Sequence, residues 1–183
     1  MVRSQIISTV FRMKKISLIT FFTILISNQL NAQNDVKSAF LIKWENSKNY
    51  LLEIAESMPE DLYKFKPTER QMSFQEQLLH IRQNMIWLSE TYFSKEEIVK
   101  SEKIKPKTKK EVITELKSAF NKVSEIIKAI ENKELLEQVE FFAGPKSKLQ
   151  ILNLLQDHVT HHRGQIIVYL NLNNIKPPKF RGW

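Results

Sequence analysis

The sequence predicts an all-α protein built as an antiparallel four-helix bundle. Glycine is scarce, with 3 residues, and proline is modest, with 6, in a chain of 183 residues. Long stretches are rich in leucine, isoleucine, lysine, glutamate and glutamine, which favour helix. Four such stretches carry apolar residues at helical spacing, and modest connectors join them. The length suits a single domain with a substantial core, which we place at residues 33–183.

The first two helices are predicted by their apolar stripes and their ends. The first runs from about Asp35 to Ser57 and is stopped by Pro59. The second begins at Ser73, whose spacing to Glu76 fits a capping box, and it ends near Phe93. The residues expected to face the core in these two helices are Phe40, Trp44, Leu51, Ala55, Met58, Phe74, Leu78, Ile81, Met85, Leu88 and Tyr92.

The third and fourth helices also open with capping-box patterns, at residues 108–111 and 147–150. Between them, residues 139–145 form a turn-bearing connector that can be extended. The fourth helix is predicted to reach about Asn173, and residues 176–183 to form a non-helical tail. The core positions expected here are Val112, Leu116, Ala119, Phe120, Val123, Ile127, Ile130, Ile151, Leu155, Ile166, Tyr169 and Leu170.

The N-terminus has the pattern of a secretory signal peptide over residues 1–32. A basic start at Lys14 and Lys15 precedes an apolar core from Ile16 to Ile26, and Ala32 suits a cleavage site. The apolar core is shorter than the roughly 20 residues that span a membrane, so an uncleaved anchor is the less favoured alternative. We therefore expect an exported protein, periplasmic or secreted, with no stable membrane anchor; the true start is open between Met1 and Met13.

Charge and cysteine content exclude several classes of function. The formal net charge is +8, but residues 1–32 hold four basic residues and no acidic one. The remainder carries 24 basic and 20 acidic residues, which is an ordinary surface with no nucleic-acid footprint. Since the chain has no cysteine, it can form no disulfide and offers no thiolate as nucleophile or metal ligand.

The chain has only four histidines, and three of them lie within five residues of each other. His158 and His162 have i, i+4 spacing, which on a helix separates side chains by about 40° and about 6 Å of rise. Both fall within the apolar arc of the fourth helix, and imidazole is the commonest metal ligand. The spacing alone leaves two interpretations equally open, a metal site and a pair of hydrogen-bonded core histidines. Periodicity places His80 outside the centre of the second helix's apolar stripe, on the side that also carries Gln77, Asn84 and Trp87, where a histidine is usually a surface or boundary residue.

The sequence Leu79-His80-Ile81, together with His158-x-x-x-His162-Arg163-Gly164-Gln165, resembles the DinB-like four-helix metalloproteins. The resemblance covers about residues 36–178. It implies that His80, His158 and His162 bind a divalent metal, zinc or nickel, in the bundle core. It also implies that a homodimer can form.

Within the resemblance, His161 matches no ligand position, so we expect a boundary histidine. Gln165 and Asn84 lie one turn beyond a ligand and are candidates to orient a ligand or a bound water, although an ordinary polar role is equally compatible with their positions. Arg163 is expected to point away from the apolar arc of its helix.

Three imidazoles with an open fourth position are typical of catalytic rather than structural metal sites. The resemblance therefore implies a metal-dependent hydrolase or transferase acting on an unknown small-molecule substrate. Export makes a transferase that uses a low-molecular-weight thiol less favoured, because such thiols are chiefly cytoplasmic. No carboxylate near the histidines is an obvious general base, since Asp157 is expected to face solvent. A non-catalytic metal- or ligand-binding bundle is the alternative, and the catalytic residues stay unassigned.

Overall fold

In the computed structural model, residues 36–95 and 108–182 are described. The predicted signal peptide at residues 1–32 lies outside these residues, as does most of the connector before the third helix. Contacts between residues group Ala39–Trp183 into one compact unit. The fold described below is the fold of that unit. None of the helices described there is both long enough and apolar enough to cross a bilayer.

Four α-helices make up most of the described chain, which confirms the all-α prediction. Helix α1 covers residues 36–57. The others are α2 (Phe74–Phe93), α3 (Lys109–Ala129) and α4 (Lys148–Leu172). Two short 3-10 helices, Glu60–Lys64 and Asn132–Leu136, lie in the connectors. Strands β1 (Gln138–Val139) and β2 (Lys146–Ser147) form a small antiparallel hairpin before α4, with Gln138 opposite Ser147.

All three predicted capping boxes are present. The side chains of Ser73, Thr108 and Ser147 accept a hydrogen bond from the backbone N–H three residues on, at the start of α2, α3 and α4. Each return bond, from the capping residue's own N–H to a Glu or Gln side chain, is also formed. These caps satisfy N–H groups that have no partner within the helix, and so they set where each helix begins.

The hydrophobic core lies between the apolar stripes predicted for the four helices. Of the 23 predicted core positions, Phe40 and Tyr92 are partly buried against the core, and the others are buried. Trp44 of α1 joins α3, because its indole N–H donates to the carbonyl of Phe120 at 3.1 Å. Arg163, which was predicted to point away from the apolar arc of α4, is nevertheless buried, with 6% exposed, because that side of α4 faces α1.

The helix directions are visible in the cross-helix contacts. Between α2 and α4, Gln77 meets Tyr169 and His80 meets His158, so these two helices run antiparallel. Between α2 and α3, Arg82 pairs with Glu115. About two turns further along both helices, Glu90 pairs with Lys122, so these two helices run in the same direction. These two neighbouring helices are therefore parallel, an arrangement that the prediction of an antiparallel bundle did not include.

Candidate metal centre

The antiparallel packing of α2 on α4 brings three of the four histidines together. His80 comes from α2, and His158 and His162 come from successive turns of α4. The ring centroids lie 4.5 Å apart for His158 and His162, 4.6 Å for His80 and His162, and 4.9 Å for His80 and His158. One nitrogen from each ring can be chosen so that all three lie within 4.8 Å of one another.

Within this group, Nε2 of His80 lies 3.1 Å from Nε2 of His158. Two nitrogen ligands of a tetrahedral zinc ion, with bonds of 2.0–2.1 Å, lie about 3.3 Å apart. A hydrogen bond between two neutral imidazoles has a similar length. This one distance therefore fits both interpretations of the sequence, whereas the convergence of a third ring fits a shared ion better.

Burial keeps the three rings neutral. Desolvation, followed by the charges of His162 and His80, lowers the pKa of His158 to about 4. Desolvation, followed by the charge of His80, lowers the pKa of His162 to about 4. Desolvation also lowers the pKa of His80. At neutral pH each ring therefore has one nitrogen with a free lone pair, which is the form that binds a metal.

His162 is held by a residue that the sequence did not single out as functional. The Nδ1 atom of His162 lies 2.6 Å from Oε1 of Gln77, which is 3% exposed. Gln77 precedes His80 by three residues and so lies on the same side of α2. A glutamine three residues before a candidate ligand was a signal in the sequence, although glutamine at such a position is more often an ordinary polar residue.

Gln77 also connects His162 to a wider hydrogen-bond network. Its Nε2 donates to Oε1 of Gln165 at 2.6 Å and to the hydroxyl of Tyr169 at 3.3 Å. Gln165 in turn donates from Nε2 to Nε2 of His161 at 2.9 Å. Gln165 therefore acts on the histidine group through Gln77, and His161 lies exposed at the outer end of the network, as a boundary histidine should.

The other predicted orienting residue behaves differently. Oδ1 of Asn84 is buried and has no hydrogen-bond partner among the described residues, and the same is true of Nδ1 of His158. Asn84 makes no described contact with a ligand histidine. Asp157 is exposed, which agrees with the expectation that it is solvated.

A surface cleft of about 460 Å³ reaches His80. Its lining is mostly polar and carries both signs of charge: Lys66, Glu69, Arg70, Gln71, Met72, Glu76, Leu79, His80 and Gln83. Glu76 is already engaged by the cap of α2 and by Lys66, at 3.5 Å. The cleft therefore gives solvent, or a small polar molecule, a route to the edge of the histidine group.

The donor set of this group fits a borderline transition metal. All three donors are imidazole nitrogens, which suit zinc, copper, iron and nickel, whereas magnesium and calcium prefer oxygen. No carboxylate belongs to the group among the described residues. Three neutral ligands leave a fourth position of a tetrahedral ion open.

The DinB family profile matches residues 28–182 of the chain. Two solved structures share the fold, a DinB-like protein from Bacillus subtilis and one from Bacillus cereus. The first is 20% identical with a TM-score of 0.66, covering 79% of this chain and 97% of its own. The second is 18% identical with a TM-score of 0.66, covering 78% and 96%. A search of curated proteins finds no match.

Proposed function

The chain belongs to the DinB family, and from that premise we propose that His80, His158 and His162 bind one divalent metal ion, zinc or nickel. The convergence of three imidazoles from two helices, one buried and two half-buried, is the observation that carries this proposal. Burying polar groups without partners costs free energy, and a shared cation would satisfy all three lone pairs at once. Zinc and nickel both accept a set of nitrogen ligands with no thiolate.

We further propose that the site is catalytic, with hydrolysis of a small polar substrate as the reaction class. A bound metal would lower the pKa of a water molecule at the open position and polarise a substrate carbonyl or phosphoryl oxygen. The chain would supply the cleft beside His80, in which Arg70 and Lys66 can contact an anionic group of the substrate. Glu69 is the cleft carboxylate that takes part in no described ion pair, and so it can accept a hydrogen bond from the substrate.

The compartment and the assembly state belong to the same proposal. Residues 1–32 would direct export and be removed, so the mature protein would act in the periplasm or outside the cell. A thiol-dependent transferase is less favoured there, since low-molecular-weight thiols are chiefly cytoplasmic. The protein would not act on nucleic acid, and the family resemblance is the basis for proposing a homodimer.

A non-catalytic metal- or ligand-binding role is the second candidate. It is favoured by the lack of a carboxylate in the histidine group among the described residues. Turnover separates the two roles. Hydrolysis of model esters or of thiol conjugates by the metal-loaded protein, lost in His162→Ala, would support the enzyme, and no turnover of any of them would support the binding role.

The metal itself is tested by measuring metal content in residues 33–183, purified without a histidine tag, by elemental mass spectrometry. We expect about one zinc or nickel per chain in the wild type and almost none in His158→Ala. His161→Ala is the matched control, because it removes an exposed neighbouring histidine that is not a ligand. Wild-type protein that contains no metal and takes up neither added ion would contradict the proposal.

A further inference from the structure

The hydrogen bonds behind His162 have one consistent direction, which can be followed from donor to acceptor. We propose that Gln77 and Tyr169 are positioning residues that hold His162 with its proton on Nδ1 and its lone pair on Nε2, even before a metal binds. The consequence for metal affinity rests on the function proposed above. The tautomer itself does not, because it is a property of the metal-free protein.

The direction is set by a backbone carbonyl. The hydroxyl of Tyr169 lies 2.9 Å from the carbonyl oxygen of Met72 and 3.2 Å from Oε1 of Gln71. A carbonyl oxygen can only accept, so Tyr169 must donate its single proton on this side. The phenolic oxygen is then left as an acceptor on its other side, where Gln77 lies.

The orientation of the Gln77 amide follows from Tyr169. Its NH₂ group must face the Tyr169 oxygen at 3.3 Å, and it also reaches Oε1 of Gln165 at 2.6 Å. The amide oxygen of Gln77 is therefore turned toward His162 Nδ1, at 2.6 Å. With the amide fixed in this way, Nδ1 must carry the proton, because two lone pairs at that distance would repel each other.

The opposite tautomer has no compensating partner. If the proton of His162 moved to Nε2, the buried oxygen of Gln77 would lose its donor, and Nε2, the ring nitrogen that Gln77 does not contact, would no longer offer a lone pair. A neutral imidazole in water has access to both tautomers. A fixed Nδ1–H therefore removes the change of tautomer that would otherwise precede metal binding.

The outer end of the network agrees with this direction. When Gln165 accepts from Gln77, its own NH₂ group is turned toward His161, whose Nε2 accepts at 2.9 Å. Each donor in the series therefore faces an acceptor, from the Met72 carbonyl to the exposed His161. His158 has no such support, because its Nδ1 has no hydrogen-bond partner among the described residues.

The direct test is the tautomer of His162 in ¹⁵N-labelled, metal-free protein, read from long-range ¹H–¹⁵N correlation spectra at a pH where the ring is neutral. The wild type should show the proton on Nδ1. Gln77→Leu should move His162 to mainly Nε2–H or to a mixture. Gln77→Glu should restore Nδ1–H, since a carboxylate can accept that proton, and Tyr169→Phe should give a mixture, because the Gln77 amide is then free to turn.

The second readout is the Kd for zinc, measured by competition with a chelating dye. Gln77→Leu should weaken binding about 10- to 100-fold, and Gln77→Glu should recover most of that loss. Gln156→Leu is the matched control, because Gln156 is a buried glutamine that contacts Ser47 of α1 and no histidine. It should leave both the His162 tautomer and the Kd unchanged.

Several results would overturn the proposal. They are a wild-type His162 with its proton on Nε2, a Gln77→Leu protein with an unchanged His162 spectrum, and a Gln156→Leu protein that shifts the tautomer equally. If Gln77→Leu does not fold, Gln77→Glu and Tyr169→Phe decide by the same spectra. If neither zinc nor nickel binds at all, the proposed function fails, while the spectra of the metal-free protein still confirm or refute the positioning role.

Discussion

Helix α4 carries two polar clusters on different sides, and the polar groups of the two clusters are paired in different ways. The histidine cluster, His80, His158, His162 and Gln77, lies between α4 and α2. The arginine cluster, Ser47, Tyr50, Gln156 and Arg163, lies between α4 and α1. In the arginine cluster, Ser47 Oγ accepts from Gln156 at 2.9 Å and from Arg163 at 3.3 Å, and the guanidinium lies 5.1 Å from the centre of the Tyr50 ring.

The difference shows what separates a structural polar cluster from a candidate site. In the arginine cluster the positive charge is met by the hydroxyl of Ser47 and by the negative face of an aromatic ring, although Oε1 of Gln156 is buried without a partner among the described residues. In the histidine cluster three neutral bases from two helices converge on one point, and the 3.1 Å contact between His80 and His158 fits either a hydrogen bond or a shared ion. A convergence of three neutral bases at one point can hold a cation, whereas a buried polar residue alone does not indicate a metal site.

Acid should separate the two clusters most strongly, in the metal-free protein. The pKa of His158 and of His162 is about 4 in the folded state, against about 6.5 in an unfolded chain. The unfolded state therefore binds protons first, so stability falls as the pH drops from about 6.5 to about 4. Since solvent screens these partly exposed rings, the loss should be smaller than the two full shifts would give, and we expect on the order of a few kcal/mol, measured by urea unfolding across this range.

The reference for that experiment is the double variant His158→Gln and His162→Gln, in which neither position titrates. Carboxylates elsewhere titrate in both proteins, so the informative quantity is the difference between the two curves. Arg163 remains charged throughout this range and contributes nothing to it. Two curves that stay parallel from pH 7 to pH 4 would refute the assignment of the pH dependence to the histidine cluster.

Zinc should stabilise the protein only through the histidine cluster. At a free concentration 100 times the Kd, a ligand that binds only the folded state adds about 2.7 kcal/mol to the free energy of unfolding. For a domain of this size, that raises the Tm by roughly 5–10 °C. His162→Ala should show no such gain in thermal unfolding, whereas Arg163→Met should keep all of it. An equal zinc-dependent rise in the Tm of His162→Ala would show that zinc binds at another site.

Removing the charge of the arginine cluster should be a purely structural change. Arg163→Met takes away the contact with the Tyr50 ring and a hydrogen bond at 3.3 Å while keeping most of the side-chain volume. We expect a loss of about 1–2 kcal/mol in the free energy of unfolding, and no change in metal content. Loss of metal from this folded variant would show that the two clusters are coupled across α4, and it would contradict a purely structural role for the arginine cluster.

The smallest effect is expected at Gly164, which lies between Arg163 and Gln165 on the exposed side of α4. An added Cβ would meet nothing within 4 Å, and glycine in a helix interior is less favourable than alanine. Gly164→Ala should therefore raise the free energy of unfolding by about 0.5–1 kcal/mol without altering zinc affinity. A destabilised variant would show that another surface, such as a second copy of the chain, packs against this position.

The sequence was most informative where the cause is local. The capping boxes at Ser73, Thr108 and Ser147 depend on residues three apart, so the starts of α2, α3 and α4 could be read directly. The pairing of His158 with His162 is equally local, because both lie on one helix. The helical wheel predicted only that Arg163 points away from the apolar arc of α4. Its burial could not be predicted, because α1 supplies an aromatic ring and a hydroxyl that no local pattern could show.

The sequence by itself determined the helices, their apolar faces and two of the three candidate ligands, because these depend on spacing along one element and on the cost of exposing apolar surface. Only the tertiary structure decided which helices run in the same direction, that His80 meets His158 at 3.1 Å, and that Gln77 lies behind His162 at 2.6 Å. These features depend on contacts between residues about 33 positions apart for α2 and α3, and about 80 positions apart for the histidines and Gln77. Their geometry is set by how α2 packs on α4, and no periodicity within either helix encodes it.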